Sequence, residues 1–285
     1  MKKLIAKTIR KKAPTLAAAL RQFRIERRLN QPFLNHPSGF AFKGNAAMAS
    51  GRFEPEETTL FCKLLTHCDR LVNVGANIGY YTCLAAHAKK PVLAFEPIPE
   101  NARLLLENVY RNGWSDVEVF PLALGEKPEI LPMFGTGTGA SLVEGWAGIP
   151  SHDRRFLPVN TLDNTFGERK DLRNGRTLFW VDVEGFELSV LKGARSLIEG
   201  NAEAIWVVEI CIDEHMPTGV NINPNLLDTF RIFFDNGFSA CEAREGLPLV
   251  THDDVEEIVA KQHNQLSTHN FAFLSNSFRN QMLSE

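Results

Sequence analysis

With 285 residues, of which 44% are hydrophobic and 23% charged, the chain is long enough to fold around one large core. Its net charge of −3 gives no overall reason to expect nucleic-acid binding. The five cysteines are scattered and form no Cys-x-x-Cys pair, which argues against a zinc site or a disulfide framework and favours a cytoplasmic location. No apolar run approaches the ~18 residues that a membrane span requires.

The first 30 residues are predicted to form a basic helical arm. Between Met1 and Arg28 there are ten basic residues and one acid, Glu26. Such an arm either attaches peripherally to an anionic membrane surface or packs on the main domain or on a second copy of the chain. Residues 31–52 are rich in Pro, Gly, Asn and Phe, which predicts an irregular linker. We therefore place the domain boundary at residue 53 and expect one α/β domain over residues 53–285.

The main domain starts with a helix near Pro55, followed by a buried strand from Leu71 to Val74. A turn bracketed by Gly75 and Gly79, an amphipathic helix and a second apolar strand, VLAF, then lead to Glu96. A βαβ unit with glycine in its first turn and an acid about 20 residues on is typical of nucleotide-cofactor binding.

The rest of the chain continues to alternate between strand and helix patterns. Helices are predicted at Pro99–Asn112, over ELSVLKGARSLIEG (187–200) and near Pro224–Asn236. Strands are predicted for DVEVFPLAL (116–124), PEILPMFG (128–135), TLFWV (177–181), AIWVVEI (204–210), FSACEA (238–243) and FAFL (271–274). This order predicts an α/β three-layer sandwich with a mostly parallel sheet.

The first glycine turn, Gly75-Ala76-Asn77-Ile78-Gly79, indicates which nucleotide the domain binds. In an open α/β sheet the ligand lies at the carboxyl ends of the strands. Asn77 occupies the position where a dinucleotide-binding turn has its middle glycine, so a pyrophosphate is disfavoured. Glu96, at the end of the second strand, is placed to accept both hydroxyls of a ribose. A ligand with a ribose and no phosphate, such as S-adenosylmethionine, fits best.

Six spaced segments strengthen this interpretation: VNVGANIGYYT, AFEPIPENARLLLENVYRNG, FPLALG, VNTLDN, FWVDVEGFELSVLKGA and HNFAFL. With these motifs in this order, residues 53–275 resemble the FkbM-type S-adenosylmethionine-dependent methyltransferases. The resemblance implies a Rossmann-like class I methyltransferase fold with a seven-stranded sheet. It also implies O-methylation of a hydroxyl on a sugar, a glycan or a secondary metabolite.

The resemblance also assigns roles to individual residues. The expected cofactor-binding residues are Asn73, Gly75, Ala76, Asn77, Gly79, Glu96, Pro97, Ala123, Leu124 and Asp182. Asp182 and Glu184 are expected at the end of the fourth core strand, facing the methyl group as catalytic residues. Two positions depart from the family pattern: Asn73 replaces the usual acid, and Trp180 stands where lysine is common.

For catalysis we expect Asp182 or Glu184 to orient and deprotonate the acceptor hydroxyl. Alternation along a strand would direct both side chains to one side. The alternative is that Glu184 caps the following helix and Asp182 alone contacts ligand. Glu209, at another strand end, either joins the site or simply binds a loop. The chain has no spaced metal-ligand motif, so no metal is expected.

Two other classes of function remain open. A nucleotide-dependent oxidoreductase is disfavoured by Asn77 and by the second acidic strand end at Asp182. A non-catalytic nucleotide-binding protein of the same fold is kept open by Asn73 and Trp180. Acceptor specificity is expected to reside in loops 135–155 and 211–224. There Trp146, Phe156 and His215 either form a wall that stacks on a sugar or cover the core.

Overall fold

The computed structural model describes Phe23 and residues 26–152, 154–167, 169 and 175–284. The chain divides into two compact units, Met1–Arg52 and Phe53–Glu285. In the first unit, strands β1 (Leu34–Asn35) and β2 (Ala41–Phe42) pair antiparallel and are followed by helix α1 (Ala46–Ala49). Most of the predicted basic arm lies outside the described residues.

The second unit contains the alternating strands and helices that the sequence predicts. Its strands are β3 Arg70–Val74, β4 Val92–Phe95, β5 Val117–Phe120, β6 Ala123–Leu124, β7 Glu129–Phe134, β8 Arg154–Asn160, β9 Thr177–Val181, β10 Ile205–Glu209, β11 Ser239–Glu242, β12 Leu249–Val250 and β13 Asn270–Leu274. Its helices are α2 Pro55–Thr66, α3 Tyr80–His87, α4 Pro99–Arg111, α5 Leu162–Gly167, α6 Glu187–Lys192, α7 Arg195–Gly200, α8 Leu226–Phe234, α9 His252–Lys261 and α10 Asn276–Ser284.

The main sheet has eight strands in the order β12-β11-β13-β10-β9-β3-β4-β5. Strands β10, β9, β3, β4 and β5 run parallel, and β13, β11 and β12 are joined by antiparallel pairing. The α/β fold with a mostly parallel sheet is therefore confirmed. The main sheet has eight strands rather than the seven expected, because the two-residue strand β12 pairs with β11 and extends the edge of the sheet.

Helices cover both faces of this sheet, as neighbouring residues of β9 illustrate. Phe179 stacks on Trp206 of β10, with ring centroids 3.9 Å apart, and contacts Phe166 of α5. Trp180 points to the other face, where it packs against Phe61 of α2 and Tyr81 of α3. Trp180, one of the two departures from the family pattern, is thus a buried packing residue.

A separate three-stranded sheet, in the order β6-β8-β7, is inserted between β5 and β9. The segment PEILPMFG forms β7 in this small sheet rather than a strand of the main one. The predicted strand 116–124 is likewise divided between the two sheets. Strand β8 was not predicted from the sequence.

The predicted single helix over residues 187–200 is wrong, because it is divided into α6 and α7. At Gly193 an added Cβ would lie 2.0 Å from the carbonyl oxygen of Gly125, so the chain is packed tightly against another backbone there. Helices α5, α9 and α10 were also missed. Within the described residues, no helix is both long and apolar enough to cross a membrane.

Candidate functional site

A cleft opens at the carboxyl ends of β3, β4 and β9. This is the end of a parallel sheet at which α/β proteins bind ligands. The predicted site residues that line the cleft are Gly75, Asn77, Glu96, Pro97, Ala123, Leu124, Asp182 and Glu184. The structure thus brings together residues from four distant parts of the chain.

Gly75 follows β3 directly and has a positive φ of 82°. A Cβ at this position would lie 1.7 Å from the carbonyl oxygen of Asp182. The amides of Gly75 and Ala76 both donate to the carbonyl of Phe95, at 3.0 and 2.9 Å. The glycine is therefore required first by the close approach of the chain leaving β9, before any ligand is considered.

Asn77 offers the cleft a free hydrogen-bond acceptor. Its backbone is left-handed, with φ 52°, and its amide donates to Oε2 of Glu96 at 2.7 Å. Its side-chain Oδ1 is buried and has no hydrogen-bond partner among the described residues. A buried acceptor without a donor costs free energy. A ligand that brings an N–H donor, such as the amino group of S-adenosylmethionine, fits this position.

Glu96 is 4% exposed and is fixed by its neighbours. One carboxylate oxygen accepts from the amide of Ile98 at 2.8 Å and from Nδ2 of Asn101 at 3.3 Å; the other accepts from the amide of Asn77. Its carboxylate lines the cleft, at the position where the sequence predicts a partner for the ribose hydroxyls. The hydrogen-bond acceptors that line the cleft therefore fit the predicted cofactor, which carries an amino group and ribose hydroxyls.

Three predicted cofactor residues, Asn73, Ala76 and Gly79, are not among those lining the cleft. Asn73 is 3% exposed, and its side-chain Nδ2 donates to Oγ1 of Thr82 at 3.0 Å. Gly79 precedes α3 with φ 88°, and an added Cβ would lie 3.0 Å from Cγ of Leu105. These residues hold the turn and its helix in place.

Asp182 stands just beyond β9, which ends at Val181, and its amide donates to the carbonyl of Val74 at 3.0 Å. Val181 pairs with Val208 of the neighbouring strand β10, so the carboxyl group of Asp182 lies beside that of Glu209, the last residue of β10, and the two groups interact. Burial, the partner carboxyl and the nearby Glu184 raise the pKa of Asp182 well above its usual range. Burial, followed by the charges around it, also raises the pKa of Glu209. The pair therefore retains a proton at higher pH than isolated carboxyls would.

Glu184 lines the cleft, but not by the predicted alternation along a strand. The residue lies three positions past the end of β9 and has a left-handed backbone with φ 56°. Its Oε2 accepts a hydrogen bond from Nε1 of Trp146 at 2.9 Å. The alternative prediction, that Glu184 caps the next helix, is also wrong. The turn is bound instead by Glu187, whose Oε1 accepts from the amide of Gly185 at 2.9 Å.

Glu54 is a neighbour of the acidic pair that was not identified from the sequence. It lies just before α2, and its Oε2 accepts from the hydroxyl of Tyr81 at 2.8 Å. Its charge acts on both Asp182 and Glu209 and raises the pKa of each. No local pattern could have linked Glu54 to strand ends more than 100 residues away.

The three residues proposed as a stacking wall have different environments. Trp146 is 2% exposed and meets the ring of His215 edge-on, with centroids 5.9 Å apart. Phe156, on β8, is 63% exposed. Trp146 therefore covers the core, whereas Phe156 and His215 are both exposed.

One cluster of possible metal ligands occurs among the described residues, at the start of α9, and consists of His252, Asp253 and Glu256. None of the three lines the cleft. Glu256 also lies 3.5 Å from a guanidinium nitrogen of Arg231, so a cation already neutralises part of this cluster.

The Methyltransferase FkbM domain model matches residues 73–240, which is more than half of the chain. No curated protein matches significantly. Among solved structures, a methyltransferase FkbM from Methylobacillus flagellatus KT is 19% identical with a TM-score of 0.42, covering 72% of this chain and 43% of that one. This chain therefore spans less than half of the length of that relative.

Two further structures are similar at lower identity. A TehB-like SAM-dependent methyltransferase from Corynebacterium glutamicum ATCC 13032 Kitasato is 10% identical with a TM-score of 0.41, covering 81% of this chain and 92% of that one. A precorrin-6y C5,15-methyltransferase from Geobacter metallireducens GS-15 is 11% identical with a TM-score of 0.38, covering 76% and 87%.

The family match includes the glycine turn, Glu96, and both members of the acidic pair, Asp182 and Glu209. It confirms the predicted class of enzyme, a methyltransferase, and the predicted methyl donor, S-adenosyl-L-methionine. It leaves the oxidoreductase alternative without support. The chain belongs to the FkbM methyltransferase family.

Proposed function

We propose that this chain methylates a hydroxyl oxygen of a sugar, a glycan or a secondary metabolite. The observation that most supports this proposal is the carboxyl pair of Asp182 and Glu209 beside the cofactor cleft. An alcohol needs a nearby base to lose its proton as it is methylated, and this pair is a suitable one.

The cleft residues would hold the cofactor by complementary groups. Glu96 would accept the ribose hydroxyls, Ala123 and Leu124 would lie against the adenine, and Asn77 Oδ1 would accept from the amino group. When bound, S-adenosylmethionine supplies a methyl group on a positively charged sulfur. Asp182 and Glu184, at the β9 end of the cleft, would then lie beside that charge.

The two carboxyl groups of the pair have different roles because they lie side by side and interact. Two carboxyl groups that interact closely lose their protons in separate steps, so over a range of pH one is protonated while the other is a base. The basic oxygen would accept a hydrogen bond from the acceptor hydroxyl and take its proton as the C–O bond to the methyl group forms and the sulfur–methyl bond breaks, which leaves neutral S-adenosylhomocysteine. A positioned base of this kind contributes roughly 10²–10⁴-fold to a rate.

The charges around the pair favour a particular kind of acceptor. Glu184 and Glu54 both raise the pKa of each member of the pair, so the potential there is negative. A negative potential repels phosphorylated or carboxylated molecules and favours neutral polyols. This electrostatic argument supports a neutral sugar unit as the acceptor.

The test is methyl transfer from isotopically labelled S-adenosylmethionine to panels of neutral sugars, glycans and hydroxylated metabolites, with products identified by mass spectrometry. We expect an O-methyl product, and we expect Asp182→Asn and Glu209→Gln to lower kcat by about 10²-fold or more. Cofactor affinity should change little in Glu209→Gln, because Glu209 is not among the residues lining the cleft.

The matched control is Asp253→Asn, an exposed acid on α9 that does not line the cleft. It should leave both parameters unchanged. A product methylated on nitrogen or carbon, or full activity in both pair variants, would show that the proposal is wrong.

A further inference from the structure

The side chain of Glu184 is held by a segment that belongs to a different part of the fold. Residues 135–149, here termed the clamp segment, connect β7 to the turn near Trp146. Trp146 donates its indole N–H to Glu184 Oε2 at 2.9 Å, and the hydroxyl of Ser141 donates to the Glu184 carbonyl at 2.5 Å. Glu184 is thereby fixed at both its side chain and its backbone.

The clamp segment is itself firmly anchored. Ser141 is fully buried and pairs with Phe134 through two backbone hydrogen bonds of 2.8 and 3.0 Å. The amide of Ala147 donates to the carbonyl of His215 at 2.7 Å. The Trp146 ring packs directly on Gly185, where an added Cβ would lie 2.5 Å from a ring carbon. Trp146 therefore cannot shift without moving its surroundings.

Electrostatic repulsion makes this anchoring necessary. The negative charge of Glu184 acts on both Asp182 and Glu209. Without the two hydrogen bonds that hold Glu184, repulsion between like charges would drive its side chain away from the pair and into solvent. A hydrogen bond to a charged acceptor is stronger than one between neutral groups, and it opposes this displacement.

Building on the function proposed above, we propose that Trp146 is a positioning residue that holds the Glu184 carboxylate at the methyl-transfer end of the cleft. Held there, the carboxylate favours binding of the charged sulfonium of S-adenosylmethionine over binding of the neutral thioether of S-adenosylhomocysteine. The cofactor and its product differ there by one methyl group and one positive charge. A carboxylate kept at that end binds the charged form more tightly and weakens retention of the product.

The test is the ratio of the dissociation constants of S-adenosylhomocysteine and S-adenosylmethionine, measured by isothermal titration calorimetry without acceptor. Glu184→Gln should lower this ratio by about tenfold, which corresponds to about 1.4 kcal/mol. Trp146→Phe keeps the aromatic body and removes the N–H, and should lower the ratio by about fivefold, since a charge-assisted hydrogen bond contributes only part of this preference. The double variant should resemble Glu184→Gln alone, because both changes act on one group.

Trp206→Phe is the matched control. Trp206 is also fully buried, and its Nε1 has no hydrogen-bond partner among the described residues. The substitution removes a buried indole N–H without breaking such a bond, so the ratio should stay at the wild-type value. A merely structural role for Trp146 predicts instead that both ligands weaken equally and that Trp146→Phe and Glu184→Gln are additive. That result would overturn the proposal.

A second measurement keeps the proposal testable if Trp146→Phe does not fold. In wild-type protein labelled with ¹⁵N-tryptophan, the indole resonance that moves in Glu184→Gln belongs to Trp146. It should shift more with S-adenosylmethionine than with S-adenosylhomocysteine, and equal shifts would refute the inference. Failure to methylate any hydroxyl leaves these binding ratios measurable, so failure of the proposed function is distinguishable from failure of the proposed role of Trp146.

Discussion

Substituting alanine for Gly75 should disrupt the sheet itself as well as the cofactor site. An alanine Cβ would lie 1.7 Å from the carbonyl oxygen of Asp182, whereas ordinary van der Waals contact begins near 3.4 Å. The contacting atom is backbone, so no side chain can rotate to relieve the clash. The chain after β9 would have to move, and the hydrogen bond from the Asp182 amide to the Val74 carbonyl would be lost.

The expected cost combines two effects. Alanine in a left-handed conformation costs about 1–2 kcal/mol. Displacement of the Asp182 backbone and loss of its hydrogen bond bring the total for Gly75→Ala to roughly 4 kcal/mol of unfolding free energy, a loss that only a defined defect of this kind produces. Urea denaturation without cofactor, followed by tryptophan fluorescence, measures this change as a lower midpoint.

Gly113→Ala provides the matched control for the backbone conformation. Gly113 lies two residues past the end of α4 and has a positive φ of 68°, as Gly75 does with 82°, but a Cβ there would meet no described atom within 4 Å. It should cost only about 1–2 kcal/mol. If the two variants are equally stable and only Gly75→Ala loses cofactor affinity, the glycine serves the ligand alone and our reasoning about the β3–β9 junction is wrong.

Three further substitutions test other features of the site. Asn73 is 3% exposed, so Asn73→Asp introduces a buried charge and should lower the free energy of unfolding by about 2 kcal/mol at pH 8 and by less at pH 4, with no gain in cofactor affinity. Thr82→Val loses the same hydrogen bond without adding a charge, so its free energy of unfolding should show no such pH dependence in urea titrations. Burial raises the pKa of Glu187 to about 8. The folded state then binds more protons than the unfolded state between about pH 4.5 and 8, so stability falls as pH rises through this range, by up to about 1.4 kcal/mol per pH unit. Glu187→Gln should make that slope shallower in thermal unfolding, while the raised pKa values of Asp182 and Glu209 preserve part of it, and an unchanged slope would contradict the assignment. Gly185→Ala should displace the Trp146 ring and reproduce the ligand preference of Trp146→Phe, whereas a wild-type ratio would argue against the packing described.

The local elements around the cleft were largely predictable from the sequence. Apolar runs predicted strands β3, β4, β9 and β10, because each is buried; β3 leads into the glycine turn, β4 and β9 are each followed by an acid, and β10 ends at one. The expected helices at Pro55, Pro99 and Pro224 match α2, α4 and, with slightly shorter bounds, α8. The single helix expected at 187–200 failed because its interruption depends on contact between Gly193 and Gly125, which are far apart in the chain.

The site shows the same limit in its side chains. Glu96, expected at the cleft from its position after a strand, lines the cleft. Asn73 was expected there for the same reason, but its side chain bonds to Thr82 on the following helix. Adjacent residues of a strand alternate between faces, and the sequence does not say which face meets a helix and which meets a cleft.

What the sequence by itself determined is the kind of protein: a βαβ unit with a glycine turn, acids at strand ends and the spaced motifs of the FkbM family. These are local signals, set by residues within one element or one turn. Only the tertiary structure decided which acids meet. Asp182 pairs with Glu209 because β9 and β10 are neighbours in the sheet, and Glu184 is held by Trp146, 38 residues away. Strand order and loop docking depend on packing across the whole domain, so no local pattern could specify these contacts.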